Sequence, residues 1–346
     1  MVLVTGVSRA VGAGVAVALA ASPGVDRVVG LASTLERSEP SRAGGLRELP
    51  GVDLVTADPR GGALAAAVER VRPDVVVHLG LVATPARVGG RSVMKEINVI
   101  GTMHLLAACQ RSTTVRRVVL GSTSAVYGAS PRDPALVAED TEPAAAPRSG
   151  WGRDCVEVES YARGLARRRP GVAVLALRLA DVVGPSESTP LADYLALPAV
   201  PTVLGFDPRL QFLHEDDAVA ACVAAVDSDL AGAVNVAGDG VLLLSQAAHL
   251  AGRVTVPVLP PLAGAVARGL GRTRVGEVTA DQQAFLRYGR CLDTTRMRRD
   301  LGFEPRLTTR EAFLEQVRAR GLHGPLTPQA MAGVRRGVAG ALGVGR

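Results

Sequence analysis

The chain has 346 residues, 47% of them hydrophobic and 21% charged, a balance that excludes a disordered chain and suffices for one large domain or two. Its formal net charge of +6 is basic, but the arginines are scattered and only 3% of residues are aromatic, so no nucleic-acid partner is expected. Four cysteines (Cys109, Cys155, Cys222, Cys291) form no CxxC pair and no metal-ligand spacing, so no metal site is expected and a reducing compartment is.

The N-terminus enters an apolar run with no basic region before it, which does not read as a signal peptide. No stretch of about 20 apolar residues suggests a membrane span, and the chain is expected to be cytoplasmic.

Val2-Leu3-Val4-Thr5-Gly6 reads as a short strand ending in a tight turn, followed by an Ala/Val-rich helix to Leu19. This strand–turn–helix is the opening of a dinucleotide-binding unit. Gly6 suits the turn, Gly12 suits close packing of helix on strand, and free N–H groups at the helix start suit a pyrophosphate. Candidate contacts are Gly6, Ser8, Arg9, Val11 and Gly12.

Strands and helices then alternate, which predicts a parallel sheet covered on both faces. Val25–Leu31 reads as the second strand. An NAD-selective site has an acid at its end for the ribose 2′-OH. Here stand Ala32 and Ser33, with no acid before Glu36, and Arg9 adds a cation to the turn, so NADP is favoured over NAD. Val52–Ala57 is the third strand with Asp58 at its end, and Asp74–Leu79 the fourth, followed by Gly80. Ser92–Arg111 reads as one helix carrying Asn98, and Val118–Leu120 is the fifth strand, leading to Thr123.

Several of these segments resemble the extended short-chain dehydrogenase/reductase (SDR) superfamily. Asp74-Val75-Val76-Val77-His78-Leu79-Gly80 is similar to its DVVHLAA strand, and Asn98-Val99-Ile100-Gly101-Thr102 to its NxxGT pattern. Gly121-Ser122-Thr123-Ser124-Ala125-Val126-Tyr127-Gly128 resembles SSxxVYG of sugar-nucleotide epimerases and dehydratases. Further on, Leu179-Ala180-Asp181-Val182-Val183-Gly184-Pro185, Gln211 to Ala218 and Gly232 to Gly238 resemble later family elements, so the resemblance spans about residues 1–318. It implies a Rossmann-type doubly wound parallel sheet over 1–185, completed by about 211–240. A smaller C-terminal substrate domain would comprise 186–210 and 241–324, with a tail at 325–346. It further implies adenine contact at Asp58, cofactor contacts at Ser33, Leu79, Gly80 and Asn98, Thr123 as the catalytic Ser/Thr, Asn98 also holding a proton relay, and a homodimer.

The chain departs from that family at telling places. Both family forms of the first turn place a middle glycine where Arg9 or Ala10 stands. The dehydratases' acidic pair is Ser124-Ala125 here. The YxxxK helix reads Trp151-Gly152-Arg153-Asp154-Cys155, with tryptophan for the tyrosine and cysteine for the lysine. Indole donates a hydrogen bond but does not titrate usefully, so it cannot serve as a general acid/base. Lys95 is the chain's single lysine, so no YxxxK exists anywhere.

Three readings stay open. Another group serves, such as Lys95, which i,i+3 spacing would place beside Asn98. Cys155 is a reactive thiol. Or only dinucleotide binding remains, as in a sensor or scaffold. The leading expectation is an atypical NAD(P)-dependent oxidoreductase or epimerase-like enzyme acting on a hydroxyl or carbonyl of a small substrate, with a sugar nucleotide as one candidate. Arg209 stands one place from the arginine that relatives use for a nucleotide-sugar diphosphate. In the tail, Met331, Val334, Val338 and Leu342 would share one helix face.

Overall fold

The computed structural model describes residues 1–34, 48–187, 189–270 and 278–322. Glu36 and the tail stripe of Met331, Val334, Val338 and Leu342 lie outside the described residues.

Six strands follow the first part of the chain: β1 (Val2–Thr5), β2 (Val28–Ser33), β3 (Val52–Ala57), β4 (Val75–His78), β5 (Arg117–Thr123) and β6 (Ala173–Leu179). With Gly232–Val236 they form a seven-stranded sheet, ordered Gly232–Val236, β6, β5, β4, β1, β2, β3, and every pairing in it is parallel. The fold is α/β, as the alternation of strands and helices predicts. Central strands of such a sheet are covered on both faces, so they read as unbroken apolar runs rather than alternating ones. Leu3, Val4, Val76, Val77, Val118, Val119 and Leu120 are accordingly all at 0% exposure. Strand order reverses between β1 and β4, which opens the crevice where ligands of doubly wound sheets bind.

Helices α1 (Ala10–Ala20), α2 (Ala63–Val71), α3 (Arg91–Lys95), α4 (Thr102–Arg111) and α5 (Gly150–Arg168) alternate with these strands. Helix α1 lies against the helix Glu215–Asp227. A side chain at Gly14 would start 2.8 Å from the Val219 methyl, so glycine sets how closely the two approach. At the end of α5, Arg168 donates to the side chain of Gln110, and Arg169, just past it, donates to the carbonyls of Gln110 and Ser112. These are helix-end contacts to backbone and amide oxygens within the fold.

A second apolar cluster gathers Leu191, Tyr194, Leu195, Val200, Leu210, Phe212 and Phe313. The Phe212 and Phe313 rings stack at 5.2 Å. Residues from 183 to 317 build it, so the chain after β6 serves both this cluster and, through Gly232–Val236, the main sheet.

Two elements differ from expectation. Strand β2 begins at Val28 rather than Val25, because Val25 N–H donates to Ser22 O and prolongs the turn after α1. The helix expected over 92–111 is broken by a π-helical stretch, Glu96–Gly101, between α3 and α4. Such wide turns insert a residue and rotate the helix face. Within this stretch Asn98 is at 0% exposure, while Lys95 before it is exposed.

Candidate functional site

The turn between β1 and α1 is dictated by backbone crowding. Gly6 has φ of 81°, and a Cβ there would lie 2.5 Å from the Leu79 carbonyl oxygen. A Cβ on Gly12 would lie 2.2 Å from the carbonyl oxygen of Gly6. Only glycine at both places lets α1 seat its first turn directly on the end of β1. Ser8 Oγ accepts from the backbone N–H of Ser33 at 2.9 Å, tying the turn to the end of β2. Ser33 and Thr34, with Ser8, make the end of β2 hydroxyl-rich and free of acid among the described residues.

Arg9 caps α1 in an extended conformation, and its side chain turns back to donate from Nη2 to the carbonyl oxygen of Leu79. A guanidinium thus bridges the two strand ends flanking the crevice, beside the amino end of α1. Val11 N–H donates to the Glu187 carboxylate at 3.4 Å. Asp58, at the end of β3, is held by Arg60 through contacts of 2.7 to 3.1 Å. The hydrogen bond from Arg60 lowers its pKa. Gly80 stands half-buried beside Thr5 and His78.

Under this turn His78 is enclosed by two threonines, Thr5 Oγ1 on Nδ1 and Thr102 Oγ1 on Nε2, both at 2.7 Å. Burial first, and the Arg9 charge second, push its pKa down from 6.5 to about 3. The folded protein therefore refuses a proton that the unfolded chain accepts, so this contribution is complete above pH 6.5 and is lost on acidification. About 2 kcal/mol should disappear between pH 6.5 and pH 5. In urea titrations at the two pH values, His78→Gln should remove that slope, and an unchanged slope would refute the assignment.

The second part of the site surrounds the start of α5. Asn98 Oδ1 accepts from Val82 N–H at 2.7 Å, and its amide donates to Val82 O at 2.8 Å and to Asp154 at 3.0 Å. Asp154, at 0% exposure, receives both prongs of the Arg91 guanidinium at 2.6 and 2.7 Å. Arg91 also donates to Gly150 O. Sequence reasoning passed over Arg91 and Asp154. The signal was a lone arginine and a lone aspartate 63 residues apart, which only the contact between α3 and α5 pairs.

Trp151 is half-buried and packs against the main core and against the small cluster of Val82, Val88, Met94 and Ile97. Cys155 is wholly buried, and burial first, with Glu159 and Asp154 adding, raises its thiol well above the ordinary range. A thiol so placed is packing, not a nucleophile, which corrects the reactive-thiol reading. Thr123, at the end of β5, is half-buried and its Oγ1 accepts from Ala125 N–H at 3.2 Å.

Behind Thr123 runs a buried polar chain that was also not foreseen. Ser122 Oγ donates to Glu159 at 2.7 Å, and Glu159 is paired with Arg178 at 2.8 Å. Arg178 donates to the Tyr127 hydroxyl, which donates to Asn235 Oδ1, each at 2.7 Å. Burial raises the pKa of Tyr127. Of the other tyrosines, Tyr194 is buried and donates to Pro201 O. Tyr161 is among the exposed residues of α5, and Tyr288 meets Phe206 edge-on at 5.7 Å. Among the described residues, no hydrogen bond or ring contact joins these three tyrosines to Thr123.

Beyond the sheet, Arg287 and Arg290 pack on the rings of Phe206, Tyr288 and Phe285. Arg290 N–H donates to Arg209 O, Arg287 lies over Phe206 at 4.2 Å, and Arg290 over Phe285 at 4.8 Å. Arg290 Nη1 reaches Gly128 O at 2.6 Å, next to the turn that follows Thr123. This brings Arg290, whose charge burial disfavours and Asp181 favours, close to the carboxyl end of β5. No helix among the described residues is long and apolar enough to cross a membrane.

The chain is similar to known proteins along most of its length. An uncharacterized protein of Mycobacterium tuberculosis (Rv0501) is 43% identical over 329 residues, 95% of this chain and 86% of the relative. A protein of Streptomyces named 3-diazoavenalumate denitrifying reductase is 31% identical over 185 residues, 51% of this chain and 59% of that protein. Among solved structures, UDP-glucose 4-epimerase of Thermotoga maritima superposes with a TM-score of 0.68 at 20% identity, covering 92% of this chain and 98% of that one. The dTDP-glucose 4,6-dehydratase DesIV of Streptomyces venezuelae gives 0.69 at 23% identity, covering 92% and 96%. The model of the NAD dependent epimerase/dehydratase family matches residues 2–237. With that match laid over the glycine turn, the parallel sheet and the crevice between β1 and β4, the chain belongs to the NAD dependent epimerase/dehydratase family.

Proposed function

We propose that the chain binds NADP or NAD in the crevice between β1 and β4, and acts as an oxidoreductase or epimerase-like enzyme whose proton relay does without tyrosine and lysine. Gly6 and Gly12 let α1 start directly on the end of β1, the strand–turn–helix that suits a dinucleotide. Val11 presents its helix N–H to the pyrophosphate, Arg9 adds a positive charge, and Ser8 and Ser33 offer hydroxyls to the 2′ substituent. Asp58, Leu79 and Gly80 line the adenosine side, and Asn98 stands below the nicotinamide side. A bound nicotinamide would supply hydride chemistry. Thr123 would hold the substrate hydroxyl or carbonyl, while Trp151 and Cys155 occupy the places of the family's tyrosine and lysine and move no proton.

The single observation that carries this reading is Arg9. Its guanidinium sits across the crevice where the family keeps glycine, so this chain exchanges close backbone approach for a fixed positive charge. The substrate domain, proposed as 186–210 and 241–324, carries the exposed Arg209, which would suit an anionic substrate such as a nucleotide sugar. The neighbouring solved structures include proteins bound to UDP-glucose, and a shorter match is to a protein named a reductase.

A second reading has its own support. The Asn98 amide is fully engaged with Val82 and Asp154, which favours a protein that binds a dinucleotide without chemistry. Calorimetric titration with NADPH and then NADH tests the shared step. Binding of NADPH, weakened about tenfold in Arg9→Ala through loss of a charge-assisted contact, is expected. No heat with either cofactor in a folded sample would end both readings. Change in nicotinamide absorbance with nucleotide sugars separates enzyme from sensor.

A further inference from the structure

The amino end of α1 carries an acidic neighbour of its own. Glu187 comes from the segment following the short strand Asp181–Val183, 176 residues from Val11, and its Oε1 accepts the Val11 N–H at 3.4 Å. A carboxylate at that point satisfies one of the N–H groups that a helix leaves open and is favoured by the helix dipole. It takes the place that an anionic ligand would take.

The segment is anchored on both sides. Ser186 N–H donates to both oxygens of Glu215 at 3.0 and 3.2 Å, and Gly184 lies against the Glu215 side chain, where a Cβ would meet its carboxyl carbon at 2.5 Å. Arg320, just past the helix Thr309–Ala319, donates to Glu187 O at 3.3 Å and to Asp193 Oδ1 at 2.8 Å. Burial, with the Glu187 charge contributing, raises the pKa of Glu215. Glu187 is thus held near a second carboxyl, a position that the amino end of α1 compensates.

We infer that the Glu187 carboxylate is an internal competitor for the dinucleotide pyrophosphate at the amino end of α1, held there by Arg320. The inference rests on the dinucleotide reading above. Two negative groups cannot share one helix end, so binding must displace Glu187, and the free energy of that displacement is subtracted from dinucleotide affinity. The device also couples the crevice to the C-terminal helix, because loosening Arg320 frees the carboxylate.

The test is calorimetric titration of the full chain with NADH and NADPH, using wild type, Glu187→Gln and Arg320→Gln. Thermal denaturation checks that each is folded. Glu187→Gln should tighten dinucleotide binding about tenfold, as expected for neutralising a competing charge at a helix end. Arg320→Gln should act in the same direction by a smaller factor. Inorganic pyrophosphate should raise the melting temperature of Glu187→Gln more than that of wild type. Equal or weaker dinucleotide affinity in Glu187→Gln, with wild type binding, would overturn this inference and leave the dinucleotide reading intact. Failure of all three proteins to bind either cofactor would overturn both.

Discussion

Replacing Glu159 by alanine should destabilise the folded protein by about 3–5 kcal/mol, the range for breaking a buried ion pair by removing one partner. Glu159 is 4% exposed and Arg178 12%, and they face one another between α5 and β6. Burial works against the Arg178 charge, yet its hydrogen bond to Glu159 raises its pKa overall. Without Glu159 the guanidinium would keep only Tyr127 and the Glu139 carbonyl, both neutral acceptors. Ser122 would lose its acceptor as well. Urea unfolding measures the loss. The double variant Glu159→Leu with Arg178→Met should recover much of it, because neither charge is then stranded. A loss under about 1 kcal/mol for the single variant, typical of an exposed pair, would show that water reaches the network.

Gly12→Ala should cost about 2–3 kcal/mol and abolish dinucleotide binding. Alanine is the better helix former by about 1 kcal/mol, but its Cβ would fall 2.2 Å from the Gly6 carbonyl oxygen. That atom is backbone, fixed by Gly6 N–H donating to Leu31 O and by Arg9 N–H donating to Gly6 O, so it cannot swing aside. Helix α1 must move off β1, and overpacking of this kind costs about 1–3 kcal/mol, occasionally more. Gly14→Ala is the control. The atom it meets is a Val219 methyl at 2.8 Å, a side chain rather than backbone, and its stability loss should be smaller. Equal losses for the two variants, with dinucleotide binding retained in Gly12→Ala, would refute the crowding argument.

The parallel sheet was legible because its cause is local. A strand buried on both faces must be apolar throughout, and Val2 to Val4, Val75 to Val77 and Val118 to Leu120 are. Gly6 and Gly12 were legible for a similar reason, since a turn that brings backbone against backbone admits no side chain. The break in the helix over 92–111 was not legible. Its apolar spacing fits a continuous helix, while the π-helical stretch accompanies a packing demand made from elsewhere, Gly101 lying against the Pro59 carbonyl, where a Cβ would sit at 2.3 Å.

The family and the α/β sheet could be read along the chain, because motif spacing and apolar runs are local to the sequence. Only the tertiary structure decided which charges meet. Arg91 with Asp154, Glu159 with Arg178 and Glu187 with Val11 are 63, 19 and 176 residues apart. Burial then set their consequences. It pushed the Cys155 thiol up and the His78 imidazole down. A charged side chain carries no mark in the sequence of whether water or another charge will face it, since that depends on which elements pack together.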